Sequence, residues 1–167
     1  METGAVVSVE DLGTVPPFVR ISVARVGLPG YRVFRWEPED PATYPETSIA
    51  MTGTHDTEPI ATWWDSLEPA EREKFAKMDS LQVDPKRPFD NVIRDAILRA
   101  MYWSGSSVVL TPIQDIFGWR SRINRPASVG DWNWTYVLPW PVDLMMTQPE
   151  ALDGIRRLRK IEEETGR

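Results

Sequence analysis

Short apolar runs alternate with helical patterns along most of the chain, and this alternation constrains the fold more than any other feature. The apolar runs predict four strands, at residues 5–9, 31–37, 48–53 and 106–113. Amphipathic or proline-led segments predict helices at residues 18–26, 57–78, 89–103 and 149–164. Such alternation is typical of parallel strands with helical crossovers, so the sequence predicts an α/β fold.

Polar side chains follow three of the four predicted strands. Glu10 follows the first, His55 and Asp56 follow the third, and Gln114 and Asp115 follow the fourth. Active sites of parallel α/β folds, barrels above all, are built at the carboxyl ends of their strands, so we expect these residues to share one site. An eight-stranded α/β barrel needs about 250 residues, so about four strands in 167 residues indicate half of a larger unit.

The composition excludes several classes of function. A net charge of -6 argues against a nucleic-acid partner, which requires a basic face. The chain contains no cysteine, so disulfides and thiolate metal ligands are excluded. No apolar run approaches the roughly 20 residues of a membrane span, and we expect a soluble protein of the cytoplasm with no membrane partner.

The only histidine, His55, is followed by Asp56, and several kinds of site contain such a pair. A zinc or iron site would need further histidine or cysteine ligands, which the sequence lacks. A serine hydrolase triad would need an exposed nucleophile, and no G-x-S-x-G motif is present. Asp56 or Thr57 capping the next helix remains open as a purely structural explanation.

Carbohydrate chemistry remains open as the functional explanation. Cleavage of a glycosidic bond requires one carboxylic acid to protonate the leaving oxygen and other carboxylates to stabilise the transition state. Glu10 and Asp56 supply two carboxylates at separate strand ends. The eight tryptophans include rings that could stack on sugars, although most would by default be core residues or loop anchors.

Several segments carry a specific family resemblance. VEDLGTVPPFV (9–19), GLPGYRVFRWE (27–37), TGTHDTEPIATWW (52–64) and LTPIQDIFG (110–118) resemble the amylomaltase family, the 4-α-glucanotransferases of glycoside hydrolase family 77. RINRP (122–126) and WNWTYVLP (132–139) follow in the same order. The resemblance implies that residues 1–167 form the C-terminal half of a (β/α)8 TIM-type barrel, strands five to eight, with the N-terminal portion absent.

The resemblance also implies roles for three motif residues. Glu10 of the EDLG motif matches the general acid/base of the family, a role for which we expect it to be partly shielded from water. Asp56 of the THD motif matches the aspartate that stabilises the transition state and holds sugar hydroxyls. His55 matches the histidine that hydrogen-bonds the same sugar.

Three further residues match positions near the sugar subsites of the family. These are Asp115 at the end of the eighth strand, with Asn124 and Pro126 in the loop after it, and the resemblance implies that they contact donor or acceptor sugars. The family usually has Asn-x-Pro-Gly in this loop, whereas this chain has Ala127 after Pro126. The detail of this loop is therefore expected to differ.

The activity implied by the resemblance is that of a retaining 4-α-glucanotransferase. It would transfer α-1,4-glucan segments to the 4-hydroxyl of an acceptor glucan, with α-1,4-glucans as partners and no metal or organic cofactor. Trp119, Trp132 and Trp134 are candidates for lining the acceptor subsites, and each could equally be structural. The family nucleophile, an aspartate upstream of the EDLG motif, has no counterpart, because only nine residues precede Glu10.

The missing nucleophile leads to expectations about the chain as it stands. We expect it to be inactive as a transferase by itself and to pair with the missing N-terminal half. A non-catalytic glucan-binding or assembly half-barrel is one alternative, and a related α-glucan hydrolase is the other.

Overall fold

A parallel sheet of three strands forms the centre of the protein. The computed structural model describes residues 4, 5 and 7–167, and in this part the strands are β1 Gly30–Val33, β2 Ser48–Met51 and β3 Val108–Leu110. The sheet order is β1–β2–β3, with Ile49 of β2 opposite both Tyr31 and Val108. Val9 adds an isolated parallel bridge to Gly30. Strands that are neighbours along the chain are therefore neighbours in the sheet.

The described residues also form six α-helices. They are α1 Pro17–Arg25, α2 Ile60–Ser66, α3 Pro69–Ala76, α4 Asn91–Tyr102, α5 Ile113–Phe117 and α6 Pro149–Thr165. Three short 3-10 helices cover Phe34–Trp36, Pro41–Thr43 and Val142–Thr147. Several helices begin at a proline, which fits the first turn because that position has no intrahelical partner for an N–H.

Helix α4 illustrates how the sequence specifies a helix and its buried face. Asp90 caps it by accepting hydrogen bonds from the backbone N–H groups of Val92 and Ile93, at 2.9 and 3.1 Å. Apolar residues spaced three or four apart then bury one face, and Ile93 and Ile97 are fully buried.

The hydrophobic core lies where helices α2, α3 and α4 pack beside the sheet. At its centre, the rings of Phe34, Trp63 and Phe75 contact one another with centroids 4.9 to 5.6 Å apart. Trp64 is fully buried and donates its indole N–H to the carbonyl of Arg87. These two tryptophans are thus core residues, the default expected from the sequence.

The prediction of an α/β fold with parallel strands is confirmed, but the details of two strands differ. The strand predicted at residues 31–37 ends at Val33, and Phe34–Trp36 form a 3-10 helix. This turn directs the Arg35 side chain toward Glu58, its ion-pair partner. Val6, in the strand predicted at residues 5–9, lies outside the described residues, and Val9 contributes only the bridge to Gly30.

The second difference concerns the strand predicted at residues 106–113. The observed strand is only Val108–Leu110, and α5 begins at Ile113, directly after Pro112. Proline has no N–H to continue a strand ladder and suits a helix start. Gln114 and Asp115 therefore lie within a short helix instead of in a loop after a strand. In the helical region predicted at 57–78, Pro59 and Pro69 lie at the starts of α2 and α3, as expected for prolines near helix starts.

Apolar side chains remain exposed near both edges of the sheet, on α1 beside β1 and on β3. Helix α1 has no buried residue, and its Phe18 and Ile21 are 65% and 52% exposed. At the other side, Val108 and Leu110 of the last strand, β3, are also exposed. Exposed apolar surface of this kind usually marks a contact with another segment or chain.

Candidate active site

The loop of residues 52–59, between β2 and α2, carries His55 and Asp56. One buried carboxylate closes this loop at its base. Thr52 Oγ1 donates to Asp115 Oδ2 at 2.5 Å, and the backbone N–H of Ile60 donates to Asp115 Oδ1 at 2.8 Å. Asp115 bonds Thr52, where the loop begins, and Ile60, directly after the loop, so both ends of the loop are fixed to α5. The tip of the loop points away from the core.

Short hydrogen bonds also shape the tip of the loop. Thr57 Oγ1 accepts from the backbone N–H of Thr54 at 2.9 Å and donates to the Thr54 carbonyl at 3.0 Å. The Asp56 N–H donates to Thr54 Oγ1 at 3.2 Å. Helix α2 starts only at Ile60, with Pro59 as its N-cap residue. The alternative in which Asp56 or Thr57 caps the helix is therefore wrong.

Four of the residues singled out from the sequence meet at this tip. Asn124 Nδ2 donates to Asp56 Oδ1 at 2.6 Å, and His55 Nε2 lies 3.4 Å from the same oxygen. The His55 ring also contacts the Trp134 ring, with centroids 5.2 Å apart. His55 and Asp56 remain roughly half-exposed, so a ligand can reach both side chains.

Glu10 and His55 line one open cleft of about 480 Å³, together with Met51 and Leu110. Met51 and Leu110 are the last residues of β2 and β3, so the cleft lies at the carboxyl ends of the strands, where the sequence predicted a site. Glu10 is exposed at the cleft and is less shielded from water than its implied role requires. Glu10 directly follows Val9, which bridges Gly30, and no further strand among the described residues covers the Glu10 side chain.

Glu10 is held in place through its neighbour Asp11. The Asp11 carboxylate is buried, accepts from the Tyr31 N–H at 2.7 Å and lies 3.5 Å from both Arg20 and Arg32. This carboxylate attaches the segment that carries Glu10 to the start of β1.

Asp115 and Pro126 occupy different surroundings from the residues at the cleft. Asp115 is only 1% exposed, and both of its oxygens accept hydrogen bonds from within the protein. Burial raises its pKa above the ordinary value, while the bonds from Thr52 and Ile60 and the charge of Arg35 act in the opposite direction. Pro126 is exposed in the loop that carries Asn124. Sugar contact by either residue stays a prediction.

Comparison with known proteins identifies the family. A family model described as 4-alpha-glucanotransferase, Glyco_hydro_77, matches residues 1–143. The chain belongs to glycoside hydrolase family 77. The matched range includes the EDLG, THD and RINRP motifs, and with them Glu10, His55, Asp56 and Asn124.

Curated members of family 77 match most of the chain at modest identity. The chloroplastic/amyloplastic 4-alpha-glucanotransferase of Arabidopsis thaliana is 28% identical over 159 residues, which are 89% of this chain and 27% of that protein. A 4-alpha-glucanotransferase of Streptococcus pneumoniae is 29% identical over 136 residues, which are 75% of this chain and 26% of that protein. The chain therefore spans about a quarter of the length of these relatives.

Solved structures of the family show the same fold. The amylomaltase from Streptococcus agalactiae in complex with acarbose matches with a TM-score of 0.73 and 26% identity, over 95% of this chain and 31% of that one. The amylomaltase from Corynebacterium glutamicum matches with a TM-score of 0.65 and 18% identity, over 95% of this chain and 29% of that one.

The three tryptophans considered for the acceptor subsites of a family 77 protein divide into two kinds. Trp119 stacks on Phe117 with centroids 4.5 Å apart and donates its indole N–H to Glu150 Oε1 at 2.8 Å. It thereby attaches the segment after α5 to helix α6. Trp132 and Trp134 are exposed, and Trp134 additionally contacts His55, so these two rings are the ones accessible to a sugar.

Sequence reasoning missed a set of charged residues behind the site of this family 77 chain. Arg122 Nη2 donates to the backbone oxygen of Asp56 at 2.7 Å and its Nη1 to Glu58 Oε2 at 3.1 Å. Arg35 Nη1 donates to Glu58 Oε1 at 3.1 Å. Arg122 is the first residue of the RINRP motif and Glu58 follows the THD motif closely, and these positions were the available signal. Charged residues in loops are usually solvated, so their position in the sequence alone does not indicate these contacts.

Two further findings apply to the described part of this chain. Residues 4, 5 and 7–167 contain no group of three or more histidine, cysteine, aspartate or glutamate side chains that could hold a metal ion. No helix within the same residues is long and apolar enough to cross a membrane.

Proposed function

We propose that this chain supplies the acid/base and sugar-holding part of a 4-α-glucanotransferase that acts on α-1,4-glucans. The observation that carries the proposal is the shared cleft of Glu10 and His55, with Asp56 beside His55. Because the chain spans only 27% of the Arabidopsis relative, the activity is proposed for the complete protein. A cytoplasmic location stays a prediction from the composition.

In the proposed reaction, Glu10 transfers protons at the glycosidic oxygen. It protonates the 4-oxygen of the departing glucan as the bond from C1 to that oxygen breaks, while a nucleophilic carboxylate forms a bond to C1. Glu10 then removes the proton from the 4-hydroxyl of an acceptor glucan, whose oxygen displaces the carboxylate from C1. Two inversions at C1 give net retention. We propose that the nucleophile comes from a segment outside these 167 residues.

Asp56 and His55 would hold the glucose ring whose C1 reacts. The Asp56 carboxylate would stabilise the positive charge that develops on this ring in the transition state. His55 would hydrogen-bond a hydroxyl of the same ring, and Trp134, in contact with His55, would offer a flat apolar face. Asn124 bonds only Oδ1 of Asp56 among the described contacts, so Oδ2 is available for a sugar hydroxyl.

We further propose that the sheet is an arc of a (β/α)8 barrel completed by another segment. Two features support this proposal: the strands are all parallel in sequential order, and a family structure matches 95% of the chain with only 31% of its own length. The exposed apolar residues of α1 and β3, such as Phe18 and Val108, would then be covered by the added strands and helices. The isolated chain would be inactive as a transferase.

The test combines this chain with the N-terminal half of a family 77 protein that carries the nucleophile. Maltotriose is supplied, and the products are separated by chromatography. We expect glucose and chains longer than maltotriose from the mixture only. Longer chains produced by this chain alone would contradict the half-barrel proposal. Glucose without longer chains would indicate a hydrolase, and binding without turnover would indicate a glucan-binding module.

A variant of Glu10 tests its role in the same mixture. Glu10→Gln should lower the transfer rate by roughly 10²–10⁴-fold, the usual contribution of general acid/base catalysis. The matched control is Glu39→Gln, at an exposed position away from the cleft, and its rate should equal that of the unaltered chain. An unchanged rate in Glu10→Gln would show that another group transfers the proton.

A further inference from the structure

We propose that Arg122 is a positioning residue that fixes Asp56 relative to Asn124. Its role in sugar binding rests on the proposed function, whereas its effect on the geometry of the site does not. Arg122 does not line the cleft shared by Glu10 and His55. It acts through the residues that it holds.

All three guanidinium nitrogens of Arg122 are used. Nη2 donates to the backbone oxygen of Asp56 at 2.7 Å, and Nε donates to the backbone oxygen of Asn124 at 3.1 Å. Nη1 donates to Glu58 Oε2 at 3.1 Å. Asp56 and Glu58 belong to the loop after β2, and Asn124 belongs to the segment after α5. One side chain thus joins the two segments at the point where Asn124 bonds Asp56.

Glu58 is itself held from the opposite side. The Arg35 side chain, only 4% exposed, donates through Nη1 to Glu58 Oε1 at 3.1 Å and through Nη2 to the Glu58 backbone oxygen at 2.8 Å. The Glu58 carboxylate therefore lies between two guanidinium groups, and its orientation is fixed. Arg35 follows β1, so the series Arg35–Glu58–Arg122 connects the segments after β1, β2 and α5.

The geometry explains why an arginine is needed here. The three acceptors lie in different directions around one planar group, and a guanidinium places its N–H donors in a fixed fork. A lysine ammonium could keep the charge beside Glu58 but has no planar fork to reach both backbone oxygens at once. Loss of these bonds would let the segment with Asn124 move relative to Asp56, and the sugar contacts of Asp56 and His55 would no longer be aligned.

The test uses NMR of the full chain, in which His55 is the only histidine and so gives a single imidazole signal. Maltotriose is titrated into the unaltered chain, Arg122→Lys and Arg122→Met. The matched control is Arg125→Met, at an exposed position in the same segment. We expect both Arg122 variants to bind maltotriose at least roughly tenfold more weakly, as the loss of a charge-assisted hydrogen bond implies, with Arg125→Met unchanged.

A second measurement separates this proposal from the proposed function. Without sugar, the side-chain amide signals of Asn124 and the imidazole signal of His55 should shift in Arg122→Lys and stay in place in Arg125→Met. If these signals shift in Arg122→Lys but the unaltered chain binds no maltotriose, either alone or mixed with the N-terminal half, the proposed sugar-holding role fails and the positioning role stands. If Arg122→Lys leaves both the signals and the affinity unchanged, the positioning role is overturned. Arg122→Lys is the milder change and decides the outcome if Arg122→Met does not fold.

Discussion

Asn124 Nδ2 donates a hydrogen bond of 2.6 Å to Asp56 Oδ1, across 68 positions of the sequence. The bond joins the segment after α5 to the loop after β2, and its acceptor is an aspartate proposed to act on the sugar. Hydrogen bonds to a charged group are stronger than those between neutral groups. The bond should therefore make a measurable contribution to the stability of the loop.

We expect Asp56→Ala and Asn124→Ala to be coupled in a double-mutant cycle. The free energies of unfolding, measured in urea, should give a coupling energy of about 1 kcal/mol. This is below the roughly 1.5–3 kcal/mol typical of hydrogen bonds to charged groups, because the pair is half-exposed. The exposed pair of Glu73 in α3 and Lys77 directly after this helix serves as the comparison and should show a smaller coupling. Independent effects of Asp56→Ala and Asn124→Ala would mean that the bond contributes nothing in solution.

Ala127 adopts a backbone conformation that favours glycine. Its φ is 56°, in the left-handed region, and it occupies the position where the family usually has glycine. Ala127→Gly should raise the free energy of unfolding by up to about 1 kcal/mol, since the left-handed conformation disfavours residues with a Cβ. The same change at Ala24, exposed in α1, should lower it by about 0.5–1 kcal/mol. If thermal unfolding shows a gain in stability at position 127 and a loss at position 24, the left-handed conformation of Ala127 is confirmed. A loss of stability at both positions would contradict it.

Asp115 should give stability a specific pH dependence. Burial raises its pKa in the folded chain above the ordinary 3.8, so its contribution to stability is fully present below about pH 3.8 and is lost as the pH rises through the folded pKa. Asp115→Asn keeps the shape and removes this titration. The variant should therefore gain stability relative to the unaltered chain as the pH rises from about 4 to 7.

Asp90 provides the control for this measurement, because its pKa is shifted in the other direction. The ion pair with Arg87 and the backbone bonds of Ile93 and Val92 hold its pKa below 3.8. Its contribution is present above that pH and is lost as the pH falls through the folded pKa. Urea unfolding at several pH values should thus show Asp90→Asn losing stability relative to the unaltered chain as the pH rises. Equal slopes for Asp115→Asn and the unaltered chain would refute the burial argument.

Gly30 provides the space that the Asp11 carboxylate occupies beside Glu10. A Cβ built on Gly30 would lie 2.9 Å from both carboxylate oxygens of Asp11, which is closer than carbon and oxygen tolerate. Gly30→Ala should therefore displace Asp11 and lower the free energy of unfolding by roughly 1–3 kcal/mol. With Asp11→Ala already present, the same glycine change should be much less costly. An unchanged cost in that background would show that the clash is elsewhere.

The α/β class and the position of the cleft at the strand ends could be predicted because both depend on local pattern. Apolar runs and helical periodicity record which side of each segment is buried. The THD and EDLG motifs lie in single short loops, so Glu10, His55 and Asp56 could be chosen as candidate site residues without knowledge of the packing. The predicted strand ends were less accurate. At Phe34–Trp36 and Ile113–Phe117, side-chain contacts with other segments decide the backbone.

The sequence by itself determined the alternating architecture, the family and the residues that point to sugar chemistry. Only the tertiary structure decided that Asp115 is buried beneath the loop of residues 52–59, and that Arg35, Glu58 and Arg122 connect three segments behind it. Positions 35 and 122 lie 23 and 64 residues from Glu58, and their charges look like those of any solvated loop. Which charges meet depends on how the strands and helices pack, and no local pattern contains that information.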